Sequence, residues 1–147
     1  MNITLDTLND IDELMQWRAE VLTEVFGTAP SDEVLKANRA FYERKSPDSP
    51  HLAMVAYADG VPAGCGNVCF YSEMPTPDNP SGRCAYLMNI YVKPQFRHNG
   101  IAHRLISRLV DVALDLRCGK IYLESNDNTK HLYTTLGFKP MPDMMKL

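Results

Sequence analysis

The run Asn89-Ile90-Tyr91-Val92-Lys93-Pro94-Gln95-Phe96-Arg97-His98-Asn99-Gly100-Ile101-Ala102 groups residue types suited to anion chemistry. An apolar, β-prone segment stops at Pro94, a polar loop follows, and Gly100 opens a long amphipathic stretch. A strand that feeds a glycine-bearing loop into a helix N-terminus presents backbone N–H groups to an anion, and the helix dipole adds positive potential. A phosphate-bearing guest is expected there, against the amides of Arg97, His98, Asn99, Gly100, Ile101 and Ala102. Gly100 lets backbone approach phosphate with no Cβ in between; a plain loop-to-helix glycine is the other reading. Arg97 either adds charge or is solvated. His98, His103 and Arg104 either meet phosphate or are ordinary exposed helix-start residues.

Other chemistry is thinly represented. There is no G-x-S-x-G elbow and no cysteine beside a histidine in a known nucleophile signature. The G-x-x-x-x-G-K-(S/T) and G-x-G-x-x-G nucleotide loops are missing too. Cys65, Cys69, Cys84 and Cys118 form no C-x-x-C pair and have no ligand partners at metal spacing. Reduced core thiols and no metal are expected, with Cys65 and Cys69 on one face of a strand.

The elements that must position these residues follow from periodicity. Ile3-Thr4-Leu5 reads as a short strand. Thr7 or Asn9 caps a helix with apolar Ile11, Leu14, Met15, Leu22 and Val25, the Arg18 stem on the same face, and Gly27 as its end. The sole tryptophan, Trp17, lies in this helix, either packed or lining an acceptor site. Pro30-Ser31 starts a second helix that Pro47 closes. His51–Tyr57 and Val61–Tyr71 form a hairpin about Asp59-Gly60, and Arg83–Val92 is the next strand after a proline-rich loop, Glu73–Gly82. A helix from Ile101 shows Leu105, Leu109, Val112 and Leu116 on one face and stops at Gly119. Lys120–Glu124 is a strand and Asn128–Leu136 a short helix. Gly137-Phe138-Lys139-Pro140 opens a final β segment that residues 144–147 extend. The order β-α-α-β-β-β-α-β-α-β-(β) predicts an α/β (α+β) fold: a mixed, mostly antiparallel sheet flanked by helices.

With 147 residues, residues 1–147 form one domain, without repeats or linkers. A net charge of −3 argues against nucleic acid as partner. No apolar run reaches the ~18 residues of a membrane span, and Met1–Asp6 lacks a signal-like pattern. A cytoplasmic protein is expected.

Two stretches together carry a resemblance. Arg97-x-x-Gly100-x-Ala102 resembles the (Arg/Gln)-x-x-Gly-x-(Gly/Ala) signature of the GCN5-related N-acetyltransferase (GNAT) superfamily. Asn126-x-x-Thr129-x-x-Leu132-Tyr133-x-x-x-Gly137-Phe138 resembles that superfamily's second signature. The element order agrees over the whole chain; the motifs cover residues 84 to 139. The resemblance implies acetyl-CoA as co-substrate and direct attack by a primary amine, small-molecule or peptide, in a ternary complex. It implies a pyrophosphate at residues 97–102, a pantetheine arm along the backbone of Ile90, Tyr91 and Val92, and Asn126 near the arm or its water; a strand-end turn or cap is the other reading of Asn126. Tyr133 becomes the proton donor to the CoA thiolate; packing against Leu132, Leu136 and Phe138 is its other reading.

Relatives often place a base on the strand before the pyrophosphate loop, and here Cys84–Asn89 offers no carboxylate. Glu124 is a candidate substitute, directly or through water, and an activated water with no single base is the other reading; Glu20 and Glu24 could line the acceptor side. Glu20, Glu24, Glu73 and Asp78 would favour a cationic acceptor, the proline-rich loop lying at its mouth. The alternative function is a non-catalytic acyl-CoA sensor of the same fold. The acceptor's identity is not legible, and a homodimer agrees with what resembles it.

Overall fold

The computed structural model describes residues 1–44 and 50–147; the expected helix stop at Pro47 lies outside them. Five strands order as β1 (Ile3–Thr7), β2 (His51–Ala58), β3 (Val61–Ser72), β4 (Arg83–Val92) and β5 (Lys120–Leu123). All neighbours are antiparallel except β4 and β5, which are parallel. The Asp59-Gly60 turn has φ of 48° and 82°, the two positive values a type I′ hairpin needs.

Helices cover both faces. α3 (Ile101–Asp115) and α4 (Lys130–Thr135) pack on one side, where Met54, Ala56, Val68, Leu87, Leu105, Ile106 and Leu109 form the larger core. α1 (Ile11–Phe26) and α2 (Asp32–Glu43) lie on the other, with Leu14, Trp17, Val21, Ala53, Val55, Cys65 and Tyr91. Since side chains alternate along a strand, the unbroken apolar run Ala53-Met54-Val55-Ala56 supplies both cores from one central strand. Each fully buried leucine or isoleucine of α3 contributes roughly 1.5–3 kcal/mol of transfer free energy.

Several local expectations are corrected. Asp10, rather than Thr7 or Asn9, caps α1 by accepting from the Glu13 amide at 2.9 Å. α3 ends through Arg117 at φ 61°, with the Cys118 amide donating to the Ala113 carbonyl, so Gly119 is not its stop. Gly119 is small for another reason: a Cβ there would collide with the Asn79 side chain. No β segment forms after α4. Pro140 and Pro142 lack the N–H that a ladder needs, and residues 141–144 turn instead, so β5 stays an edge strand.

The loop Glu73–Gly82 is held by its own contacts. Glu73 pairs with Lys120 at 3.3 Å, and the Asn79 amide donates to the Arg83 carbonyl at 3.1 Å. This anchors the loop at the β5-paired end of β4, roughly 20 Å from Asn89 at ~3.3 Å per residue.

Candidate active site

β4 changes character midway. Cys84, Ala85, Tyr86 and Leu87 pair with Lys120, Ile121, Tyr122 and Leu123 of β5; residues 88–92 have no partner on that side among the described residues. Against β3, Asn67 faces Met88 and Cys65 faces Tyr91, so Gly66 alone opposes both Asn89 and Ile90. Asn89 takes φ 59° in this bulge, and β4 bends away from β5. Gly66 makes room: a Cβ would lie 2.9 Å from the Ile90 side chain and 3.0 Å from that of Leu109. Ile90 and Val92 turn toward the α3 core and Tyr91 toward α1. The strand's free edge, rather than these side chains, faces the gap.

The open strand leads through one 3-10 turn, Pro94–Phe96, to α3. α1 and α2 have side-chain caps, from Asp10 and Ser31; α3 has none. Gly100 precedes it at φ 75°, with open space where a Cβ would stand, and the first helical bond runs from the Arg104 amide to the Gly100 carbonyl. The amides of Ile101, Ala102 and His103 therefore lack an intrahelical acceptor, as helix-start amides must. His98, at φ 65°, and Asn99 shape the loop; the Asn99 side-chain amide donates to the Phe96 and Arg97 carbonyls. These groups fit an anion by chemistry as well as position.

Arg97 is occupied with holding that loop. Its Nε donates to the Val92 carbonyl at 2.9 Å, and its guanidinium pairs with Glu24 at 3.1 Å over the Tyr91 ring. Arg104 reaches back to the Ile3 carbonyl, while His98 and His103 are exposed.

Tyr133 on α4 is buried, its ring edge-on to Phe138 at 5.9 Å. Its hydroxyl bonds to no other described residue, and burial raises its pKa, keeping the phenol protonated. Glu124 is exposed directly after β5, where β4 and β5 part. Beside it, burial and then the Glu124 carboxylate push the Tyr86 phenol up to about 12. Asn126 starts the turn into α4: its Oδ1 accepts from the Thr129 amide, and the Thr129 hydroxyl accepts from the Asn126 amide, both at 3.1 Å.

The feature that sequence reasoning missed lies across the sheet. A cavity of about 240 Å³ opens between α1, α2 and the bulge, lined by Arg18, Ala37, Asn38, Phe41, Tyr42, His51, Asn67, Cys69, Met88 and Asn89. A hydrogen-bond chain crosses it. Arg18 donates from Nε to Asn38 Oδ1 (2.8 Å) and from Nη1 to Asn89 Oδ1 (2.9 Å). Asn89 Nδ2 donates to Asn67 Oδ1 (2.9 Å), and Asn67 Nδ2 lies 2.6 Å from His51 Nε2. A guanidinium can only donate, so every amide in the chain is oriented from Arg18 outward and His51 Nε2 must accept. Burial lowers the His51 pKa and pushes the Tyr42 phenol up to about 12, so both rings are neutral near pH 7. A legible signal existed: Asn67 and Asn89 interrupt otherwise apolar strands, and a buried amide in a strand needs partners.

Trp17 is packing: it is buried edge-on to Tyr91, with Lys93 Nζ 5.0 Å above its ring. The acids expected to attract a cation are largely engaged, Glu20 with Lys93 at 3.8 Å, Glu24 with Arg97 and Glu73 with Lys120. The four thiols are free, and no metal-ligating cluster occurs among the described residues. No helix there is long and apolar enough to cross a membrane.

The Acetyltransferase (GNAT) family matches residues 11–138, and the chain belongs to that family. It is 29% identical over 126 residues to thialysine N-epsilon-acetyltransferase of Sus scrofa, covering 71% of this chain and 74% of that one. For the Bos taurus enzyme of the same name the identity is 37% over 98 residues, covering 63% and 56%. The chain thus spans between about half and three quarters of the length of these relatives. Among solved structures, a predicted acetyltransferase of Clostridium acetobutylicum with acetyl-CoA shares the fold with a TM-score of 0.87 at 24% identity, covering 99% of this chain and 96% of that one. Glucosamine-6-phosphate N-acetyltransferase of Arabidopsis thaliana shares it at 0.75 and 18%, covering 100% and 98%.

Proposed function

We propose that residues 1–147 act as one N-acetyltransferase domain that moves an acetyl group from acetyl-CoA to a primary amine, by direct attack in a ternary complex. The observation that carries this reading is the continuity of an unpaired strand edge at 88–92 with the uncapped amides of α3. Acetyl-CoA, when bound, supplies an activated acyl carbon and a thiolate leaving group. The chain's own residues do the rest.

Amides from His98 to Ala102 bind the pyrophosphate, with Arg97 fixing the loop between Val92 and Glu24. The backbone edge at Ile90 to Val92 receives the pantetheine arm and offers an N–H to a developing oxyanion. Asn126 holds the turn that presents α4. Tyr133 keeps a proton on its hydroxyl for the departing sulfur. Glu124, at the fork of β4 and β5, takes the proton of the incoming amine directly or through water. Much of the rate then comes from alignment of the two reactants.

The relatives named for thialysine make an amino acid with a terminal side-chain amine the first acceptor to try. Free thiols fit a reducing, cytoplasmic setting. The test is acetyl-CoA turnover with a panel of amines, following thiol release and the mass of the product together. Equal release and acetylation supports transfer. Saturable acetyl-CoA binding without any acetylated amine would favour the non-catalytic sensor, a reading that the lack of a carboxylate along Cys84–Asn89 also supports.

A further inference from the structure

We infer that Arg18 anchors a carboxylate on the acceptor, so that the amine acetylated belongs to an amino-acid-like molecule and not to a polyamine. The inference takes its setting from the acetyltransferase reading but stands on the cavity's own charge.

A guanidinium has five N–H donors. Arg18 uses one on Asn38 and one on Asn89, and the others meet no acceptor among the described residues. Among the described residues that line the cavity it is the one formally charged side chain. Of the acids on α1, Glu20 pairs with Lys93 and the Tyr91 hydroxyl, Asp12 with Arg39 and Glu24 with Arg97, while Glu13 is exposed and does not line the cavity. A half-buried cation with no counterion among the described residues attracts an anion and repels a second cation. The two asparagine bonds also fix the guanidinium plane, and a fixed fork matches a planar carboxylate bidentately.

Position completes the reading. Asn89, which Arg18 holds, is the bulge residue where β4 leaves β5. The anion is therefore anchored one side chain away from the open strand edge, and the molecule's other end can reach that edge. Phe41 and Tyr42 line the same cavity and offer apolar faces to an aliphatic chain between the two ends.

The test measures binding apart from turnover. L-lysine, thialysine and β-alanine, each with its carboxamide, are titrated calorimetrically into the CoA-loaded protein, in wild type, Arg18→Gln, Arg18→Lys and Asn38→Asp. At least one acid should bind wild type thirtyfold or more tightly than its amide, ~2 kcal/mol. Arg18→Gln should bring that ratio near one, and Arg18→Lys should restore part of it. Asn38→Asp leaves Arg18 in place but supplies a carboxylate where the asparagine oxygen now accepts, so it too should erase the preference while the protein stays folded by its melting curve. Amides binding as well as acids, no acid binding at all, or a preference unchanged in Arg18→Gln and Asn38→Asp would each overturn the inference. Acetylation of the same compounds is read separately. An acid preference without turnover would sink the transferase reading and leave the anchor standing; equal turnover of acid and amide would do the reverse.

Discussion

The two halves of β4 are one strand in sequence and two devices in structure. From Arg83 to Leu87 the strand has partners on both sides, and Cys84, Ala85 and Leu87 are almost wholly buried. From Met88 to Val92 it keeps β3 but loses β5, kinks at Asn89 and borders a cavity. The first half completes its hydrogen bonds within the sheet and contributes stability. The second leaves one edge unpaired, an arrangement worth keeping only where something else will bind it. The same contrast separates the helix starts, capped by side chains on α1 and α2 and uncapped on α3.

The largest expected effect breaks the closed half. Leu87→Ala should cost about 2–5 kcal/mol of stability by cavity formation, read by denaturant unfolding, with acetyl-CoA affinity of the folded protein unchanged. A lowered affinity would mean that the halves do not act separately. On the open side, Gly100→Glu sets a carboxylate and a Cβ at a positive φ before the α3 amides. It should weaken acetyl-CoA at least a hundredfold, ~2.7 kcal/mol, in titrations where stability falls by only ~1 kcal/mol.

Smaller effects sharpen the picture. Tyr133→Phe keeps the ring against Phe138 and removes the proton donor, so turnover should fall at least tenfold, ~1.4 kcal/mol, with acetyl-CoA binding intact. Unchanged turnover would leave Tyr133 a packing residue. The least is a pH slope. His51 is held neutral by burial and by the donor at its Nε2, so its folded pKa lies below the unfolded ~6.5. Its contribution to stability is full above pH ~6.5 and is lost as pH falls from there through the lowered folded value, because only the unfolded chain then takes the proton. His51→Phe should flatten that part of the stability profile; an identical slope in the variant would show that His51 does not titrate as described.

What the sequence disclosed follows the same division. Patterns carried by neighbours in the chain were readable: the amphipathic α3, the Asp59-Gly60 hairpin, the glycine before α3. Features fixed by contact at a distance were not. Gly119 looked like a helix stop, but Asn79 dictates it. The proline-rich loop belongs to the β5-paired end because Glu73 meets Lys120. The C-terminal strand was an apolar pattern that two prolines veto. Arg18 read as one more helix stem, since the asparagines that orient it come from α2 and β4.

The central claim, that the open half of β4 and the start of α3 are one acetyl-CoA site, is tested most directly by hydrogen exchange with and without acetyl-CoA. Amides from 88 to 92 and from 98 to 103 should exchange more slowly with ligand, by a larger factor than those of 84–87, which are already paired on both sides. Protection that is uniform along β4, or confined to residues outside these two segments, would contradict the account.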